Sequence, residues 1–276
     1  MRAVEFDSRM AAANDCRPFV IAEKPTMQRL EVVNASWSAP DSVRALTTTR
    51  LGGASAGPFQ GLNLGDHVGD DSAAVAANRA LMARNLRLPA EPLWLAQVHG
   101  STVVDAGAAA QVVQADAAWT DRAGVVCAVL TADCIPLALA TRCGTRVAAV
   151  HVGWRGLVAG VVENTLAALG SGRELVAWMG PAISRRGFEV GPEVVEALAG
   201  DDKEARSCFR PGAGDRSMAD LFGLLRLRLN RAGVVDVAGG EYCTYSDPER
   251  FYSHRRDGLS GRMATLVWRA AEKTEL

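Results

Sequence analysis

"VVCAVLTADCIPLALA" (residues 125–140) decides the fold. Its halves, "VVCAVLTAD" (125–133) and "PLALAT" (136–141), read as apolar strands around a break. Asp133 and Cys134 form the break, and Pro136 follows at once. An acid beside a thiol in what should be core has two readings. One is a buried cysteine at a bend; the other is an active-site thiolate.

The rest of the chain alternates in kind around this stretch. Strands are predicted over 43–49, 93–99, 147–153, 174–180 and 262–270. Helices are predicted over 72–88, 156–170, 192–200 and 218–233. Ser72 is placed as the cap of the first, and Gly170 closes the second. The interleaving predicts a single layered α/β domain, with mixed sheets flanked by helices, over residues 28–276. Residues 1–27 show no periodicity and read as a loosely ordered N-terminal extension. The glycine-rich segment "RLGGASAGPFQGLNLGDHVGDD" (50–71) leaves little room for regular structure. A loop that long in a compact domain is more often functional than filler.

Composition excludes several classes. The 30 basic and 31 acidic side chains leave a net charge of −1. No strong field therefore draws in nucleic acid or an anionic membrane. The most apolar region is interrupted by Asp133 and closed by Arg142, too soon for a membrane span. The first residues lack the continuous apolar core of a secretion signal. Six cysteines without a C-x-x-C pair suit a reducing compartment, so the expected location is cytoplasmic. The oligomeric state is not legible.

Three soft ligands fall at or near predicted strand ends: His99, Cys134 and His151. Two imidazoles and a thiolate suit Zn²⁺, and three protein ligands leave a coordination position open, as catalytic zinc sites do. The gaps of 35 and 17 residues form no short-range motif. The same residues would serve a different chemistry, with Cys134 as nucleophile and a histidine as its base.

"HVGWRGLVAGVV" (151–162) adds an anion site. A strand ends, Gly153 and Gly156 bracket a turn, a helix follows, and Arg155 lies in the turn. Arg50, Arg255 and Arg256 are further candidates for an anion or a sugar.

The segments "TTRLGGASAGPFQGLNLGDHVGDD", "QVHG", "ADAAWT", "TADCIPL", "AAVHVGWRGL", "GPAIS…FEVG", "CTY" and "FYSHRRDGLSGRMA" together resemble the YfiH family, in that order from about Thr47 to Trp268. Older names for it are laccase-domain protein and polyphenol oxidase. The resemblance implies an α/β domain related to putative cysteine hydrolases, with zinc on His99, Cys134 and His151. It implies purine nucleoside phosphorylase activity on adenosine, inosine, guanosine and methylthioadenosine, and adenosine deamination. Copper-dependent phenol oxidation and action on peptidoglycan precursors are alternatives attached to the same family.

Chemistry sorts these activities. A multicopper oxidase needs many histidines, and this chain has four: His67, His99, His151 and His254. One Cys-His-His site could still take Cu²⁺, which outcompetes zinc at most nitrogen and sulfur sites. Phosphorolysis needs phosphate held against the sugar, and the turn with Arg155 is a plausible cradle. Deamination needs a proton carrier, for which Asp133 is the candidate; its alternative role is to orient a histidine ligand. Asn63 is expected to bind base or ribose, and Trp119 to stack on a purine or pack in the core. His67 follows a turn and is not expected to be a ligand.

Overall fold

The computed structural model describes residues 30–109, 113–170 and 172–270. The expected extension, 1–27, lies outside them. The two halves of the deciding stretch do not share a sheet. Val126–Thr131 is the edge of a four-stranded antiparallel sheet, in the order Val32–Asn34, Val43–Thr48, Met263–Arg269, Val126–Thr131. Ile135–Thr141 enters a six-stranded mixed sheet, in the order Asp236–Gly239, Leu175–Met179, Ile135–Thr141, Val147–Val152, Ala117–Thr120, Val103–Asp105. Its two outermost pairings are parallel and the inner three antiparallel. The break at Ala132–Cys134 is where the chain steps from one sheet to the other.

Side-chain alternation explains why both strands are apolar throughout. In the smaller sheet Cys127 and Val129 face the larger one, while Val126, Ala128 and Leu130 face away. In the larger sheet Ala138 and Ala140 face the smaller one, and Ile135, Leu137 and Leu139 face away. Alanines at 138, 140 and 149 keep the inter-sheet layer thin, and Trp178 and Met263 fill it. Helix Ser72–Leu86 covers the outer face of the smaller sheet through Met82, together with Leu62 and Leu64. Helices Val161–Leu169, Pro192–Ala199 and Leu221–Arg231 cover the outer face of the larger sheet. The order of layers is helix, sheet, sheet, helices, the mixed α/β layering expected from the sequence.

Local departures have local causes. Asp71, not Ser72, caps the first helix, accepting from the Ala73 N–H. The helix expected over 156–170 is two, Trp154–Ala159 and Val161–Leu169, because Gly160 turns left-handed (φ +88°) between them. The strand expected over 93–99 is cut to Leu95–Ala96. Ser217–Ala219 is a strand, and Asp220 starts the following helix by accepting from the Gly223 N–H. No helix among the described residues is long and apolar enough to cross a membrane.

Candidate metal centre

The step between the sheets is pinned at Asp133, which adopts φ +94°, a region that costs a non-glycine residue strain. Its backbone carbonyl accepts from the Ile183 N–H at 2.9 Å. Its carboxylate accepts from the Thr244 hydroxyl at 2.7 Å and from the Arg255 N–H at 2.6 Å, inside the first turn of helix His254–Asp257. Asp133 thus ties the crossover to three distant points, Ile183, Thr244 and Arg255. Both carboxylate oxygens are engaged as acceptors, at the residue for which the sequence leads to the expectation of a proton carrier.

The step delivers Cys134 beside Val147–Val152. Pro136 pairs with His151 across the sheet, so the thiol and the imidazole emerge at one end. His99 arrives from a turn that replaces the end of the expected strand. Gln97 secures that turn by a side-chain imitation of strand pairing: its amide donates to the Leu130 carbonyl at 2.8 Å and accepts from the Leu130 N–H at 2.7 Å. His99 itself sits at φ +60°.

Asp116 joins the two histidine arms. Its buried carboxylate accepts from the N–H groups of Val98 (3.2 Å), His99 (2.9 Å) and Gly100 (2.7 Å) and from His151 Nδ1 at 2.8 Å. Its backbone carbonyl accepts from the His151 N–H at 2.7 Å. Burial works to raise the carboxyl's pKa, but the bonds from His151, Gly100 and Val98 outweigh it and hold the group ionised below its ordinary range. The histidine-orienting role considered for Asp133 falls to Asp116. It lies in the segment "ADAAWT", but only the fold brings it to His151.

The three ligand atoms of His99, Cys134 and His151 all lie within 4.8 Å of one another. Cys134 Sγ stands 3.8 Å from His99 Nε2, and the two rings meet edge-on with centroids 4.7 Å apart. Burial would raise the Cys134 thiol, yet the charge of His151 and hydrogen bonds from both histidines bring it down to about 6. Burial would lower His151, yet the Cys134 thiolate and Asp116 raise it to about 9. Gly153 leaves the space: a Cβ there would come 2.9 Å from Cys134 Sγ and 3.0 Å from His99 Cδ2. A ready thiolate, two imidazoles and a residue kept without a side chain fit a soft divalent cation. With Nδ1 turned to Asp116, His151 has Nε2 for the ion, the carboxylate–histidine arrangement common at metal sites.

These ligands line a cavity of about 450 Å³. All four histidines of the chain reach it, as do Asp133, Trp154, Arg155, Arg255 and Arg262, with Leu130, Ile183, Phe188 and Leu221 as apolar wall. His67 is paired with Asp66 (3.5 Å) and lies outside the three-ligand cluster. Arg50 and Asn63 do not line the cavity. Arg50 donates to the Pro248 carbonyl and stacks on Tyr252, while Asn63 is fully buried in bonds to Gly65, Asp70 and Arg262. Trp119 packs against the helix side of the larger sheet. Arg262 and Gln97 were not singled out as site residues in the sequence, and Asp116 is visible in "QADAAWT" (114–120) without a role.

Residues 44–270 match the family model described as multi-copper polyphenol oxidoreductase laccase. The chain belongs to this family. It is 53% identical over 234 residues to a purine nucleoside phosphorylase of Pseudomonas aeruginosa, covering 84% of this chain and 96% of the relative. It is 44% identical over 240 residues to the purine nucleoside phosphorylase YfiH of Escherichia coli, covering 86% and 98%. Among solved structures, a Neisseria meningitidis protein of the DUF152 family superposes with a TM-score of 0.83 at 45% identity, covering 87% of this chain and 99% of that one. YlmD from Geobacillus stearothermophilus gives a TM-score of 0.77 at 31% identity, covering 84% and 93%. The family's multi-copper description meets a chain whose described residues offer one such ligand group, not the several that a multicopper array requires.

Proposed function

We propose that this protein is a zinc-dependent purine nucleoside phosphorylase acting on adenosine, inosine, guanosine and methylthioadenosine, with adenosine deamination as a second activity of the same site. The observation that carries the reading is the meeting, in one cavity, of three ligand atoms within 4.8 Å and a set of arginines. Kinship with chains named purine nucleoside phosphorylase supports it.

His99, Cys134 and His151 would hold the ion, and a zinc ion held there supplies a Lewis acid. The remaining work is done by the chain. Leu130, Ile183, Phe188 and Leu221 offer an apolar wall for a purine ring. Arg155 and Arg255, both C-terminal to the cluster in sequence, place positive charge in the cavity where phosphate would stand. Asp116 keeps both histidine arms from turning, so the reacting groups meet a fixed geometry. Asp133 holds helix His254–Asp257, and with it Arg255, against the crossover.

The test is a screen of the zinc-loaded protein against the four nucleosides with and without phosphate, reading free base and ammonia. Base release that needs phosphate and is lost on chelation is expected. Base release indifferent to phosphate would refute phosphorolysis.

One observation favours a second reading. Asp116, His151 and Cys134 stand in the order acid, base, thiol, with Cys134 a thiolate near neutral pH. On that reading the protein is a Cys-His hydrolase whose activity survives metal removal.

A further inference from the structure

The cavity holds a cation that is built in more firmly than Arg155 or Arg255. Arg262 precedes the last strand, Met263–Arg269, and is partly buried. The glycine-rich loop grips it. The Arg262 N–H donates to Asn63 Oδ1 at 2.9 Å, and the same oxygen accepts from the Gly65 N–H at 3.0 Å. The Asn63 amide donates to Asp70 at 2.8 Å and to the Gly65 carbonyl at 3.1 Å, closing the loop on itself. Gly65 lies flat on the arginine stem: a Cβ there would come 2.8 Å from Arg262 Cγ and 3.1 Å from its Cβ. At the far end Nη1 donates to the carbonyls of Ser260 (2.8 Å) and Gly261 (3.0 Å).

One guanidinium nitrogen is therefore committed to backbone, and the Nε–Nη2 edge is the fork that can take an oxyanion through two bonds. No carboxylate among the described residues stands within ion-pair distance of it. Asp133, the carboxylate whose charge bears on it, already accepts from Thr244 and Arg255. A partly desolvated guanidinium with no carboxylate paired to it favours an anionic ligand, the Cys134 thiolate and Asp133 acting on it only through space. By contrast Arg155 and Arg255 are exposed, Arg155 lying over Trp154 and Arg255 donating to the Glu189 carbonyl.

We propose that Arg262 is the anchoring receptor for the phosphate oxyanion, and that the Asn63–Asp70 segment serves to lock it beside the metal ligands. The inference rests on the phosphorylase reading. It gives the glycine-rich loop a purpose in binding without requiring the loop to touch the nucleoside.

Calorimetric titration of inorganic phosphate into zinc-loaded protein tests it, with zinc content and thermal melting recorded for each variant. Arg262→Gln should weaken phosphate binding roughly 10- to 100-fold, the range for losing a charge-assisted contact. Arg262→Lys should fall between it and wild type, since charge survives but the fork does not. Gly65→Ala should weaken phosphate with charge intact, by displacing the stem. Arg155→Gln should weaken phosphate less than Arg262→Gln does, in keeping with an exposed contact. All should keep one zinc. If Arg262→Gln fails to fold, Arg262→Lys and Gly65→Ala decide. Wild type that binds phosphate while every folded Arg262 and Gly65 variant matches it overturns the inference alone. Wild type that binds no phosphate overturns the phosphorylase reading with it.

Discussion

His151 donates from Nδ1 to Asp116 Oδ1 at 2.8 Å, and the same carboxylate takes the N–H of His99 at 2.9 Å. One buried acid thus fixes two of the three candidate metal ligands. Asp116→Asn keeps the shape but cannot accept every one of these donors. It should lower zinc affinity about 10- to 100-fold, the usual cost of losing such a partner. Competition with a chromophoric chelator measures this, and an unchanged affinity would assign Asp116 to structure alone.

Gly153 is the site's clearance. A methyl group there would press on Cys134 Sγ at 2.9 Å. The residue's φ of −83° is open to alanine, so strain falls on the ligands rather than on the backbone. Gly153→Ala should lose zinc affinity by at least about tenfold with a melting temperature near that of the wild-type apoprotein. Equal zinc affinity would mean that the ligands can move aside.

Metal binding should release protons in a pattern set by the pair of pKa values. Cys134, lowered to about 6, is already a thiolate at pH 7, whereas His151, raised to about 9, still carries a proton that the metal must displace. Between about 6 and 9 one proton leaves per ion bound, so apparent affinity should rise about tenfold per pH unit. Below about 6 the thiol proton must leave too and the slope should steepen. Zinc titrations in buffers of different ionisation enthalpy count the protons. No release at pH 7 would contradict the ion pair.

In metal-free protein the same thiolate should react with iodoacetamide near pH 7 and lose reactivity as pH falls through about 6. Cys143, exposed and brought to about 7 by hydrogen bonds with Thr141 and Thr145, would react as well, so the measurement needs a Cys143→Ala background. Cys127 is buried with its pKa pushed up and should stay inert. Zinc should protect Cys134. Reaction that tracks an ordinary thiol, falling away below pH 8, would contradict the assignment.

Asp133→Asn separates two roles. An anchor can be replaced by an amide at modest cost, about 1–2 kcal/mol of stability, because Thr244 can turn its hydroxyl to match. The pH dependence of activity should then be unchanged. Loss of the acidic limb of the profile, with the melting temperature held, would make Asp133 a proton carrier after all.

The layering was legible because alternation in "VVCAVLT" and "IPLALAT" is an apolar signal on both faces, and such strands need cover on two sides. The same signal could not say that the two strands part company. That follows from Asp133, whose left-handed backbone is held by Thr244 and Ile183, far away in sequence. The candidate metal ligands were legible as residue types at strand ends. Their convergence was not, since 35 and 17 residues separate them and no local pattern encodes the pairing of Pro136 with His151. Asn63 and Arg50 sit in a conspicuous loop, but that loop's bonds are spent on Arg262, Tyr252 and itself. Asp116 was visible in "QADAAWT" without a role, and Arg262 went unseen, because an acid or an arginine in a strand-like context acquires its role only from neighbours that the fold supplies.

The central claim is that His99, Cys134 and His151 hold one ion together. The most direct measurement is metal content after zinc loading and exhaustive desalting, on wild type and on His99→Ala, Cys134→Ala and His151→Ala, each verified as folded by circular dichroism. One zinc per chain in wild type and none retained in any of the three is the expected result. Wild type that retains no metal, or any folded variant that still carries one zinc per chain, would contradict it.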